Sequence, residues 1–98
     1  MNERPIKKLA RAACERLGIT SEAFYSRGRK PMAVLARYAV AYVAYETKGF
    51  TYQQIGRDLG GRSHGTMIHG IGRIKEWMKT EQDVRELISY LIKSLTKN

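Results

Sequence analysis

An all-α domain of about six helices is the fold this sequence predicts, and three observations carry it. Apolar residues recur at spacings of three and four along most of the chain. Glycines and capping residues stand where those runs stop and start, and the only prolines, Pro5 and Pro31, sit where a helix would begin. With 98 residues, 43% of them apolar, there is room for one modest core and none for an additional catalytic domain. A single domain over residues 1–98 is expected, with an ordered core from about 5 to 95 and polar ends that fray.

Pro5 suits a first helical turn, and Ile6, Leu9, Ala13 and Leu17 follow at helical spacing up to Gly18, which predicts a helix over 5–17. Lys7, Lys8, Arg11 and Arg16 decorate its polar side and read as a solvated face. Cys14, the single cysteine, forms no internal disulfide and reads as a small buried residue. Thr20 or Ser21 caps a short helix around 21–25 that anchors Phe24 in the core. Arg27-Gly28-Arg29-Lys30 is then a basic loop, whose three charges can reach phosphates or a narrow minor groove, or can simply be solvated. From Pro31 and Met32 to about Thr47 runs the longest helix, with Val34, Tyr38, Ala41, Tyr42 and Tyr45 on overlapping faces. Apolar over most of its circumference, it belongs at the centre. Its tyrosines read as core residues with hydroxyls at the rim, not as a base-stacking platform. Arg37 is the one positive charge inside this apolar helix and is a candidate to hold a phosphate.

Gly49 stops that helix, and Phe50 is expected to fold back on the core. Thr51-x-x-Gln54 resembles a capping box and opens a helix over 52–59, with Ile55 and Leu59 pointing inward and Gly56 bare where a neighbouring helix crosses closely. Gly60-Gly61 makes a tight turn. A longer helix begins at about His64 and steps through Met67, Ile68, Ile71, Ile74 and Met78, with Trp77 anchoring its far end. After a break near Thr80, a last amphipathic helix from about Glu81 to Leu95 buries Val84, Leu87, Ile88, Leu91, Ile92 and Leu95. Short helix, glycine turn and longer helix together predict a helix-turn-helix.

Charge points to the partner. Lys and Arg number 18 against 9 Asp and Glu, a net charge of +9, so a polyanion is the leading expectation. Residues 1–75 carry 14 basic and 5 acidic side chains, whereas residues 76–98 carry 4 of each, so the excess lies with the loop and the glycine turn. Ser63 can cap the helix after that turn, whose N-terminus offers free N–H groups and partial positive charge to a phosphate. Ser63, His64 and Thr66 are candidates for base edges. Arg62 and Thr66, with Gly65 removing bulk between them, are equally candidates for phosphate. No nucleophile elbow or G-x-x-x-x-G-K-[ST] loop occurs, and His64 and His69, five apart, do not share a helical face. The sequence therefore predicts no enzyme, no metal site and no cofactor. With no secretory pattern after Asn2-Glu3-Arg4-Pro5 and no apolar run long enough to span a bilayer, it predicts a soluble, cytoplasmic protein without membrane contact.

The run Ile55-Gly56-Arg57-Asp58-Leu59-Gly60-Gly61-Arg62-Ser63-His64-Gly65-Thr66-Met67 resembles the C-terminal DNA-binding domain of the bacterial replication initiator DnaA, whose signature reads I-G-x-x-F-G-G-R-D-H-T-T-V. The order upstream matches as well: a leading helix, a basic S-x-x-R loop at Ser26-Arg27-Gly28-Arg29 with Lys30 after it, and a long helix carrying Ala36-Arg37. The resemblance covers roughly residues 5–95 and implies the same helical fold. It implies a monomer bound to double-stranded DNA, with the loop arginine in the minor groove and the recognition-helix start in the major groove. By position, Arg29 is then the minor-groove reader, Arg37 a phosphate holder, and Ser63, His64, Gly65 and Thr66 the recognition-helix start. Two positions depart from the signature. Ser63 stands where the family has Asp, and Gly65 where it has the first Thr. Aspartate only accepts hydrogen bonds and so selects a cytosine amino group, whereas serine also donates; the lost threonine removes a methyl able to touch thymine. The target box is therefore expected to differ. The family's ATPase domain is not in this chain, so no nucleotide is expected. Sequence-preferring duplex binding that regulates replication or transcription is the function expected. The alternative is an interaction module that keeps the helix-turn-helix shape and contacts a replication or transcription protein. Structured RNA ranks behind both, because no aromatic platform is exposed in this reading.

Overall fold

The computed structural model describes residues 4–96, which form α1 (Pro5–Leu17), α2 (Ser21–Tyr25), α3 (Pro31–Lys48), α4 (Tyr52–Asp58), α5 (His64–Thr80) and α6 (Gln82–Ser94). Asn2 and Glu3, used in the N-terminal reading, and the outermost residues expected to fray lie outside the described residues. Among the described residues no helix is long and apolar enough to cross a membrane.

α3 packs against all five other helices. Its small side chains allow this: Ala33, Ala36, Ala39, Ala41 and Ala44 are buried together with Val40 and Val43. Val34, Tyr38, Tyr42 and Tyr45, expected on the core faces, are half-buried at the rim, because the backbones that crowd α3 leave room only for alanine and valine at the centre. The surrounding helices each contribute large buried groups, among them Leu9, Phe24, Ile55, Met67, Ile74 and Leu91. Each such side chain contributes about 1.5–3 kcal/mol of apolar burial. Cys14 is half-buried rather than enclosed, with its thiol pKa raised by burial and then by Glu15.

α4 opens with a full capping box: the Gln54 amide donates to Thr51 Oγ1 at 3.1 Å, and the Thr51 amide donates to Gln54 Oε1 at 2.9 Å. It ends at Asp58, one residue before the predicted stop, and Leu59 tucks into the core as the capping residue. The chain then doubles back through Gly60 and Gly61, whose φ values of 94° and 78° only glycine adopts without strain. At the end of the turn the Arg62 amide donates to the Gly56 carbonyl at 2.8 Å. A Cβ on Gly56 would overlap the Arg62 carbonyl, so this glycine is the floor on which the turn lies.

α5 is capped by Ser63 and buries Met67, Gly70, Ile71 and Ile74. Gly70 receives the Tyr38 ring of α3, and a Cβ there would overlap that ring. Ile68, expected in the apolar stripe, is 46% exposed; it follows Met67 by about 100° around the helix and so leaves the core side. Glu81, with φ −108° and ψ 107°, ends α5 and begins α6, and its amide donates to the Trp77 carbonyl at 2.7 Å. Trp77 is half-buried at this junction beneath the Arg73 guanidinium, 5.0 Å from the ring centroid. α6 buries Val84, Leu87, Ile88 and Leu91, but Ile92 is 40% exposed and Leu95 half-buried. Ile92 falls about a quarter turn from the centre of that stripe, where α1 and α3 no longer cover it.

Candidate nucleic-acid interface

The basic loop between α2 and α3 is held from below by backbone and side-chain hydrogen bonds. Thr20 caps α2 by accepting from the Ala23 amide at 3.0 Å. Ser26 Oγ donates to the Ala23 carbonyl at 2.9 Å and accepts from the Gly28 amide at 3.2 Å, which sets the path of the following residues. Arg37, 4% exposed, reaches the same segment from α3. Its Nη1 donates to the Phe24 carbonyl at 2.9 Å and the Ala23 carbonyl at 3.5 Å, and its Nη2 to the Gly28 carbonyl at 3.0 Å. Arg62 does the equivalent from the glycine turn: Nε donates to the Leu59 carbonyl at 2.9 Å, and Nη2 to the carbonyls of Tyr25 and Ser26. Two guanidinium groups thus fasten the loop to α3 and to the entry of α5.

Between loop and helix start runs a groove of about 740 Å³, lined by Arg27, Gly28, Arg29, Val34, Arg37, Tyr38, Arg62, Ser63, Gly65, Thr66 and His69. Among the described residues no carboxylate lines it. Acids bound in ion pairs among the described residues lie elsewhere: Asp58 with Arg4 at 2.8 Å, Glu46 with Lys75 at 3.6 Å, Glu76 with Lys79 at 3.0 Å and Glu86 with Arg16 at 3.9 Å. Burial lowers the pKa of Arg37, and the charge of Arg62 adds to that; burial followed by the charge of Arg27 lowers the pKa of Arg62. Arginine nonetheless keeps its proton in proteins. The groove therefore gathers mutually repelling cations without a protein counter-charge, and an anion entering it relieves that repulsion.

Seven of the nine residues singled out in the sequence line this groove: Arg27, Arg29, Arg37, Arg62, Ser63, Gly65 and Thr66. Lys30 is exposed at the capping position of α3, outside the lining. His64 is exposed on the opposite flank of α5, its ring tilted by 43° at 5.2 Å from Tyr52, which itself stacks on Tyr45 at 4.6 Å. Arg37, a candidate phosphate holder, lines the groove while its guanidinium donates to three backbone carbonyls. Arg62 is likewise engaged as a brace. Ser63 Oγ accepts from the Thr66 amide at 3.1 Å and lies 2.8 Å from Thr66 Oγ1, so both hydroxyls already take part in the cap.

Gly28, Val34, Tyr38 and His69 are groove residues that sequence reasoning did not assign to the site. Tyr38 was read as core rim, and its ring does rest on Gly70, while its edge faces His69 at 6.1 Å. The signal for Tyr38 was its place one residue after Arg37 and one helical turn after Val34, both of which line the groove. Among the described residues no group of three or more His, Cys, Asp or Glu is arranged to hold a metal ion.

Comparison with known proteins adds the last observation. The family described as bacterial DnaA protein helix-turn-helix matches residues 6–74, which include the basic loop, α3, α4, the glycine turn and the first two-thirds of α5. The chromosomal replication initiator protein DnaA of Methylacidiphilum infernorum is 30% identical over 93 residues, 95% of this chain and 20% of that protein. That of Pseudothermotoga lettingae is 36% identical over 72 residues, 74% of this chain and 16% of that protein. That of Thermus thermophilus is 27% identical over 89 residues, 91% of this chain and 20% of that protein. The chain spans about a fifth of the length of these curated relatives.

Proposed function

The chain belongs to the bacterial DnaA helix-turn-helix family, and from that premise we propose that it binds double-stranded DNA with a sequence preference and regulates replication or transcription from the sites it occupies. The start of α5 enters a major groove, the Arg27–Lys30 loop enters the adjacent minor groove, and the sugar-phosphate strand dividing them lies in the groove between loop and helix. The observation that carries this reading is that cationic, carboxylate-free groove, braced by Arg37 and Arg62. A strand of phosphates supplies the counter-charge it lacks, and salt-dependent affinity follows from the counterions released.

In this reading Arg29, with Arg27 and Lys30 beside it, faces the minor groove, where a narrow A·T-rich segment has the most negative potential. Ser63, His64 and Thr66 face base edges or the flanking phosphates, and Gly65 lets the helix backbone approach. Arg37 and Arg62 contribute field and geometry from within. Binding requires neither cofactor nor nucleotide, one copy suffices for one site, and the protein acts in the cytoplasm, where bacterial DNA lies.

Fluorescence anisotropy on a duplex selected from a random-sequence pool tests this. Arg29→Ala and His64→Ala are each expected to weaken binding by about 1–3 kcal/mol, and the slope of log affinity against log salt is expected to become shallower by about one for Arg29→Ala. Unchanged affinity in both variants contradicts it.

A further inference from the structure

Ile68 is out of place for packing. The buried stripe of α5 is complete without it, formed by Met67, Gly70, Ile71 and Ile74, yet a β-branched apolar side chain stands 46% exposed in the middle of the helix. The other exposed large hydrophobic residues, Met32 and Ile92, lie on α3 and α6. On the solvent side of α5, Ile68 is flanked by Gly65, about one turn before it, and Gly72, about one turn after it. An added Cβ on either glycine meets no heavy atom within 4 Å. The isoleucine therefore projects from a helix surface that carries no side chain at Gly65 and Gly72 and the His64 ring on the other side one turn before it, and its stiff χ1 fixes the direction of its methyl groups.

We infer that Ile68 reads a thymine methyl group in the major groove. This rests on the DNA-binding reading above, and it assigns a base-discriminating role to a residue outside the groove lining. The chemistry is selective, because the thymine C5-methyl is the apolar feature among the donors and acceptors that base edges present in the major groove. Placement agrees with this, since Ile68 lies about one turn beyond His64 and Gly65 at the helix start, on the flank that carries His64. The bare glycines let the helix backbone come close, so that a side chain as short as isoleucine reaches the base. Gly65 offers no methyl at the helix start and Thr66 takes part in the Ser63 cap through its hydroxyl and lines the groove, whereas Ile68 presents a larger apolar group on the flank that carries His64.

Thymine replaced by deoxyuridine loses the methyl and keeps every hydrogen-bonding group. The test therefore takes a duplex recovered by the wild-type chain from a random-sequence pool and substitutes its thymines by deoxyuridine one at a time. One substitution is expected to weaken wild-type binding by roughly threefold to fivefold, the size expected for exposing one methyl-sized apolar group. Ile68→Ala is expected to bind the thymine and deoxyuridine duplexes equally, at the level of wild type on the deoxyuridine duplex, and Ile68→Val to fall between. Position 68 is solvent-exposed, so Ile68→Ala should keep the wild-type circular dichroism and melting curve. Wild-type binding that is insensitive at every thymine overturns the inference while leaving duplex binding intact. So does a methyl effect of the same size in Ile68→Ala. Failure to recover any duplex overturns both readings together.

Discussion

Arg37 and Arg62 carry a structural task that their charge alone does not display. Both were expected to face phosphate, and both point at backbone carbonyls of α2 and the loop. An arginine within an apolar helix, with no acid one turn away, must find acceptors, and carbonyls of a neighbouring loop are the acceptors a sequence does not display. Arg37→Ala is expected to leave those carbonyls without a donor and to destabilise the fold by about 1–3 kcal/mol in urea unfolding. It should also weaken DNA binding while preserving more of the salt slope than Arg29→Ala does. The glycines were more legible. Gly56 reads as a point where a neighbouring helix crosses closely, but the backbone against it is the Arg62 carbonyl of the turn, with the Met67 side chain of α5 beyond; Gly56→Ala is expected to cost about 2–4 kcal/mol, because the methyl overlaps that carbonyl. Gly65→Thr meets open space, so its melting temperature should stay within a few degrees of wild type while its DNA preference changes.

Caps and turns made the helices readable. α1 and α2 match the predicted spans 5–17 and 21–25, because the Pro5 ring, the left-handed backbone of Gly18 and the capping hydroxyl of Thr20 mark their ends. Glu81 illustrates the opposite case: one extended residue serves two helices and bears no distinctive capping side chain, so the sequence offered only a break near Thr80. Ile68 and Ile92 were assigned to buried stripes because spacings of three and four admit neighbours on the edge of a face, and only the position of adjacent helices separates edge from centre. Under the proposed function, specificity depends on the start of α5. Ser63→Asp retains a good N-cap and adds negative charge at a helix N-terminus, so stability is expected to stay level or rise by a few tenths of a kcal/mol. The same change should shift the sequences selected from a random pool toward cytosine at the base that position 63 faces. Thermal melting and the selection itself check the two halves.

Across the molecule, the alanine-rich α3 fixes where everything else stands. It carries the basic loop at its N-terminal end, Tyr38 against Gly70 of α5 farther along, and Arg37 between them as a strut. The net charge and its concentration in residues 1–75 were visible in the sequence. That the loop and the start of α5 share one groove was not, because they are separated by about thirty residues and are brought together by braces such as that of Arg62 to the Tyr25 and Ser26 carbonyls. One braced unit gripping two neighbouring DNA grooves is best tested by dimethyl sulfate protection on a pool-selected duplex, since the reagent methylates guanine N7 in the major groove and adenine N3 in the minor groove. The expected result is guanine N7 protection together with adenine N3 protection in the adjacent minor groove, about half a helical turn away, with only the adenine N3 protection lost in Arg29→Ala. Protection confined to one groove, or identical patterns in wild type and Arg29→Ala, would contradict it.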